Sequence, residues 1–322
     1  MMARYVVRRL LQLVPILLGI TLLSFALMHA AGGDAVTALL ENQGVAVTQD
    51  LIDAKRHELG LDRPFVVQYL SWLGGVLTGN VGTSYVSGRD VLATFASKLQ
   101  ATLLLTFASV LVTVLVSVPL GILSATHHNR FVDYLIRVTG FVGNALPNFF
   151  VALLLVYVFA LTLGWLPVIS SAVGKSGTEA ITLAGLVLPT ATLAIAMSCK
   201  YTRQIRAAVL DELGKPYVSG ARARGVPEKQ ILSRSVLKCI MVTLVTLLAL
   251  SIGDLLGGAA IVESIFQWDG VGKLAVDAIQ MRDYPMIQAY VMWMAIIYVV
   301  VNLGADLLYF WLDPRVRMQE ER

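Results

Sequence analysis

The side chain best placed to do chemistry is Asp254, an acid inside the apolar run Ser251-Ile252-Gly253-Asp254-Leu255-Leu256-Gly257-Gly258. A carboxylate at a helix centre in the bilayer costs about 2.5–3.5 kcal/mol on insertion scales, so it must face a water-filled path or a neighbouring helix that pairs with it. Asn144 sits beside Gly140, Gly143 and Pro147, residues that open the backbone and leave it either on a path or in an interhelical hydrogen bond. Glu263 is expected near the outer end of the span that holds Asp254, facing a docked protein or an outer gate. These three residues are the candidate path residues.

Other chemistry is excluded by spacing. Gly270-Val271-Gly272-Lys273 resembles part of a phosphate loop, but that loop needs glycine where Gln267 stands and Ser or Thr where Leu274 stands. Nucleotide binding is therefore not expected, and no catalytic residue or nucleophile and base pair is found. His29 reads as a membrane-interface residue, His127 and His128 as solvated on a turn, and Met281, Met286, Met292 and Met294 as packing, so no metal site is expected. Cys199 and Cys239 lack any CxxC or nearby His spacing and read as small buried hydrophobes on a reducing side. Lysines and arginines exceed acids by 25 to 21, yet they form no stripe with interleaved aromatics, which argues against nucleic acid.

The elements that must position these residues follow from hydropathy. The chain is 57% hydrophobic and 14% charged, against about a quarter charged in soluble domains. Six apolar runs are long enough to cross a bilayer: 10–31, 102–125, 135–163, 181–201, 240–262 and 287–311. The first exceeds the apolar core of a signal peptide, so it reads as an uncleaved span. Residues 32–98 are polar and punctuated by glycines, and read as an extracytoplasmic segment of short helices, one of them opening at Thr48 or Asp50 and closing at Gly60. The loops on either side of the third span are read as short, and 263–286 as a polar loop. The expectation is an all-α integral membrane protein made of an N-terminal segment and span (1–31), that insertion, and a core (99–322) with five spans.

Charge fixes the orientation. About 17 of the 25 basic residues lie on the side of the N-terminus: Arg4, Arg8, Arg9, Arg130, Arg137, nine between Lys200 and Lys238, Arg315, Arg317 and Arg322. Both termini are therefore expected in the cytoplasm.

Residues 203–238 form the long basic cytoplasmic segment. The spacing predicts a short helix from Pro216 to Arg224, a left-handed turn at Gly225, and a second helix with Pro227 in its first turn and Glu228 near its N-terminus. Such a compact knob between two spans suits docking in a partner's groove, or lying near anionic lipid headgroups.

Tyr217, Ala221, Arg222, Ala223, Arg224, Gly225, Glu228, Leu232, Arg234 and Leu237 resemble the EAA loop of ATP-binding-cassette (ABC) importer permeases. Similarity to the dipeptide, oligopeptide and nickel branch continues along the chain, in Leu59-Gly60-Leu61-Asp62, Gln68, Tyr69, Trp72, Gly79, Gly82, Ser84, Val118-Pro119-Leu120-Gly121, Pro147-Asn148-Phe149, Arg282-Asp283-Tyr284-Pro285 and Asp313-Pro314-Arg315. Ser219, Ser235, Val242 and Asp269 depart from the usual pattern.

The resemblance implies a type I importer permease fold in the bacterial inner membrane, with Tyr217, Ala221, Arg222, Arg224, Gly225 and Glu228 in an ATPase-coupling helix and turn. It implies no cofactor in this chain, with ATP and Mg bound by two cytoplasmic ATPase subunits. The other implied partners are a homologous second permease, forming a heterodimer, an extracytoplasmic solute-binding protein, and membrane lipid. The implied cargo is nickel, free or chelated, or di- and oligopeptides, moved by alternating access; the acid at 254 tilts this toward nickel. The alternative is an ion-gradient-driven transporter or channel with Asp254 as its coupling carboxylate, although no inverted repeat is visible.

Overall fold

The structure, a computed structural model, describes residues 2–30, 35–42, 48–169, 171–173 and 179–312. The chain divides into two compact units, one of residues 1–102 with 269–300, the other of residues 103–268 with 301–322.

The first unit contains α1 (Met2–Ala30), α2 (Ala35–Asn42), α3 (Gln49–Glu58), α4 (Phe65–Leu77), α13 (Val271–Gln280) and the first part of α14 (Tyr284–Leu312). Thr48 caps α3 in extended backbone, without a side-chain hydrogen bond, and Gly60 follows the helix at φ +67°, where the sequence placed its end. The apolar α4 rests on α1, with the Tyr69 and Thr21 hydroxyls 3.0 Å apart and Phe25, Phe65 and Tyr69 in edge contact. Residues 263–286, expected as a polar loop, instead hold α13. Its Val271, Ala275 and Ala278 recur at helical spacing and are buried, which gives an otherwise polar segment one face to dock. The Val271 amide donates to Thr102 Oγ1 at 2.8 Å. Asp283 then ties a distant loop, accepting from Ser84 Oγ at 2.5 Å and from the Tyr85 amide at 3.1 Å.

Helix α5 (Val91–Thr126) begins in the first unit and continues in the second. The second unit then contains α6 (Phe131–Ala145), α7 (Asn148–Leu155) with a π-helical extension over Val156–Thr162, α8 (Leu183–Leu213), α9 (Pro216–Ala223), α10 (Glu228–Gln230), a π-helical turn (Ile231–Val236), α11 (Leu237–Gly258) and α12 (Ala260–Ile265). Two expectations are corrected here. The segment after the third span is no short loop, since Ser171–Val173 and Glu179–Ile181 pair as an antiparallel hairpin, β1 and β2, in a chain expected to be all-α. Helix α8 also runs past Tyr201 to Leu213, because no glycine or proline lies between Tyr201 and Gly214.

The third expected span is broken. Leu146 is extended (φ −82°, ψ 131°), Pro147 supplies no amide to continue α6, and α6 and α7 meet at 102°. Among the described residues, four helices are long and apolar enough to cross a membrane, or five if the bent pair is one span. Expected span 240–262 falls on α11 and α12, where several side chains, including that of Asp254, lie outside the described residues. Helices α1 and α5 expose Leu11, Leu23, Leu27, Phe107 and Leu115, an apolar surface suited to lipid.

Candidate functional site

The basic segment 203–238 folds as a knob continuous with α8. Gly214 and Lys215 end that helix, and Pro216 opens α9 at its first position, where its missing N–H is no loss. Helix α9 stops after Ala223, and Gly225 turns the chain at φ +76°. That left-handed conformation favours glycine, and no atom lies within 4 Å of the place a Cβ would take, so the constraint is backbone and not space. The Val226 amide bonds back to the Ala221 carbonyl at 3.1 Å, and Pro227, extended, caps α10 rather than entering its first turn.

The buried face of the knob anchors it. Val218 is wholly buried and Ala221 is 9% exposed, in one apolar cluster with Ala125 of α5, Ile205 and Val209 of α8, Ile231 and Ile240. Burying one such valine stabilises the contact by roughly 2 kcal/mol. Helices α5 and α8 approach so closely that a Cβ on Gly121 would stand 2.6 Å from Ile205 Cγ2. The knob therefore shares a core with the helices before and after it.

Polar contacts set its outer face. Arg222 Nε donates to Glu228 Oε1 at 2.5 Å, closing the turn around Gly225. The guanidinium holds the Glu228 carboxyl below its ordinary range, and the carboxylate raises Arg222 in return. Tyr217, 40% exposed, donates its phenol to Glu212 Oε1 at 2.9 Å. Burial first, and then the Glu212 carboxylate, push that phenol upward. Lys215 also pairs with Glu212, which raises the lysine. Arg224 is exposed at the C-terminal cap of α9. Tyr217, Arg222, Arg224 and Glu228 thus lie outward while Ala221 is the anchor, an arrangement that presents a rigid charged knob.

An ion pair that sequence reasoning missed fixes the base of this arm. Asp133, fully buried near the start of α6, accepts from Arg206 Nε at 2.7 Å and Nη2 at 2.8 Å, from Ser124 Oγ at 2.6 Å and from the Asn129 amide at 2.9 Å. His128 is exposed, as expected, and its Nδ1 lies 3.0 Å from Arg206 Nη2 and can accept from it. Asp133 is the acid of a short basic turn, a local signal, whereas its distant partner on α8 has none. The cysteines differ from expectation: Cys199 is half-buried and Cys239 exposed, its Sγ 4.0 Å from the Tyr217 hydroxyl at the solvent edge of α11.

Of the path candidates, Asn144 is exposed and lines two cavities, one between α6 and α8 and one at the α6–α7 break. One, of about 380 Å³, also presents Arg137, Thr202, Arg203 and Arg206. The other, of about 210 Å³, presents Asn148, Lys200 and Tyr201. Glu263 is completely buried in α12, so within this chain it belongs to packing and not to an outward docking face. The Asp254 side chain lies outside the described residues.

The profile of the family described as "Binding-protein-dependent transport system inner membrane component" matches residues 117–318, and that of its N-terminal region matches residues 2–106. An oligopeptide transport system permease protein of Bacillus subtilis is 40% identical over 319 residues, covering 98% of this chain and 99% of the relative. A glutathione transport system permease protein of Salmonella typhimurium is 36% identical over 316 residues, with coverage of 98% and 99%. A chain from inward-facing crystals of the MetNI methionine ABC transporter is similar in fold, with a TM-score of 0.55 at 16% identity, over 68% of this chain and 96% of that one. The chain belongs to the binding-protein-dependent transport system inner membrane component family, as a multi-pass permease subunit of an ABC importer of the peptide and nickel branch.

Proposed function

We propose that this chain forms half of a translocation path for peptides, driven through alternating access by ATPase subunits that grip the knob at 216–228. The observation that carries the reading is the shared core of Val218 and Ala221 with α5, α8 and α11, which makes the knob a lever and not a loose loop. ATP binding would draw two ATPases together, move each knob with its helices, and open the path toward a docked solute-binding protein. On this reading six spans place both termini in the cytoplasm, a homologous permease completes the path, and ATP and Mg stay with the ATPases.

Peptides are the proposed cargo because the similar proteins named above are permeases for oligopeptides and for glutathione, itself a tripeptide. The tilt toward nickel rested on Asp254 alone. Asn144, Asn148 and Lys200 around the α6–α7 break offer amide and ammonium groups suited to peptide carbonyls and a carboxylate. The test is reconstitution of the permease pair in liposomes with and without its ATPases. ATP-dependent uptake of a labelled tripeptide is expected, and uptake of nickel without peptide would contradict the cargo.

A further inference from the structure

The coupling and peptide readings leave one cleft of the second unit unused. Part of it is the cavity of about 380 Å³ between α6 and α8, where Tyr134, Arg137 and Phe141 face Thr202, Arg203 and Arg206. Beside this lies an apolar groove of about 270 Å³, formed by Val112, Val116 and Leu120 of α5, Thr139 of α6, and Ala194 and Ile195 of α8. The two share Ile136, Gly140, Cys199 and Thr202 as a common wall.

The charges of this cleft are unbalanced. Arg206 is committed to Asp133, but Arg137 and Arg203 are exposed and bond no acid among the described residues. No acid lines either part of the cleft. Both arginines stand where apolar sequence gives way to basic sequence, since residues 138–174 hold no charge after Arg137 and residues 183–199 none before Lys200 and Arg203. From that basic end the groove follows α8 from Thr202 back to Ala191. That is about 16 Å of helix, roughly one leaflet of a hydrocarbon core about 30 Å thick.

Each feature alone has an ordinary explanation. An arginine at the end of a span reaches water along its own stem, and apolar side chains on a span face lipid tails. Their union is more specific: two unpaired guanidinium groups adjoin a groove of one leaflet's depth, which matches a molecule with an anionic head and an apolar tail. A guanidinium takes phosphate through two parallel hydrogen bonds, and basic pockets between membrane helices suit anionic headgroups. Tyr134, 66% exposed on the same wall, adds an aromatic ring of the kind that sits at headgroup level.

We infer that this cleft is a binding site for an anionic phospholipid, with its phosphate on Arg137 and Arg203 and one acyl chain in the groove lined by α5, α6 and α8. The site differs from general lipid contact in selecting headgroup charge. It depends on membrane insertion of the chain and not on the cargo.

The test is native mass spectrometry of the assembled transporter in detergent micelles, titrated separately with dioleoyl phosphatidylglycerol and with dioleoyl phosphatidylcholine, which has the same acyl chains and no net charge. Phosphatidylglycerol should bind more tightly, and Arg137→Gln and Arg203→Gln should each weaken it about fivefold while leaving phosphatidylcholine unchanged. Arg130→Gln removes an exposed arginine outside the cleft and should leave both affinities as they are. Val116→Trp, at a groove position already 39% exposed, should weaken both lipids by filling the acyl groove. All four positions are exposed, so the unfolding midpoints should not move. Equal affinity for the two lipids, or unchanged binding in Val116→Trp, overturns the proposal. An equal loss in Arg130→Gln also overturns it, by making the attraction a diffuse surface charge. Release of the second permease by the two cleft arginine substitutions together, with the lipid preference intact, overturns it as well and assigns the cleft to a subunit contact.

Discussion

Arg206 grips Asp133 with two parallel hydrogen bonds, 2.7 and 2.8 Å, joining α8 to the start of α6 at the base of the arm that carries the knob. Asp133 is fully buried and the Arg206 side chain 16% exposed, so the carboxylate has no water to fall back on and the guanidinium little. Removing one partner of such a pair costs about 3–5 kcal/mol, whereas replacing both with apolar groups costs far less. Asp133→Ala should therefore lower stability by about 3 kcal/mol, and Asp133→Leu with Arg206→Met should recover most of it. Chemical unfolding in mixed micelles measures both, and a fully additive double variant would contradict the pairing.

The turn at Gly225 makes a second prediction. Its φ of +76° costs an ordinary residue about 1–2 kcal/mol, and there is open space for a side chain. Gly225→Asn should keep both ATPase association and transport, because asparagine tolerates this backbone region. Gly225→Val should weaken both while the rest of the chain stays folded. Co-purification of the ATPases with each variant reads the difference, and equal recovery would show that the turn does not shape the docking face.

The Arg222–Glu228 pair carries a pH dependence. Arg222 holds the folded-state value of Glu228 below its ordinary 4.5, so the pair's contribution is complete above 4.5 and is lost as pH falls through the lower folded value. Both side chains are about half exposed, which limits the contribution to a few tenths of a kcal/mol. The stability gap between wild type and Glu228→Gln should be present at neutral pH and close in acid. A gap that widened in acid would reverse the sign.

The knob was legible because its instructions are local. Pro216, Gly225 and Pro227 set a start, a left-handed turn and a cap within a dozen or so residues. Four of the six expected spans were legible from hydropathy, or five if the bent α6–α7 pair is one span, and that break was foreshadowed by Pro147 close to two glycines. What escaped depends on partners far along the chain. Asp133 meets Arg206 seventy-three residues later, and Ser84 meets Asp283 across most of the sequence. Helix α13 was missed because its polar residues outweighed the buried spacing of Val271, Ala275 and Ala278. Glu263 was expected near the outer end of a span, facing a docked protein or an outer gate, and within this chain its helix buries it completely.

The most direct test of the lever is Ala221→Glu. Ala221 packs in the apolar cluster that joins the knob to α5, α8 and α11, and a carboxylate there must leave the cluster or drag the knob with it. Tripeptide uptake is measured in liposomes carrying the complete transporter, with and without ATP, for wild type and variant. The account predicts uptake that requires ATP in the wild type and falls to background in Ala221→Glu, with the variant still inserted and folded. Undiminished uptake by the variant, or uptake driven by an ion gradient without ATP, would contradict it.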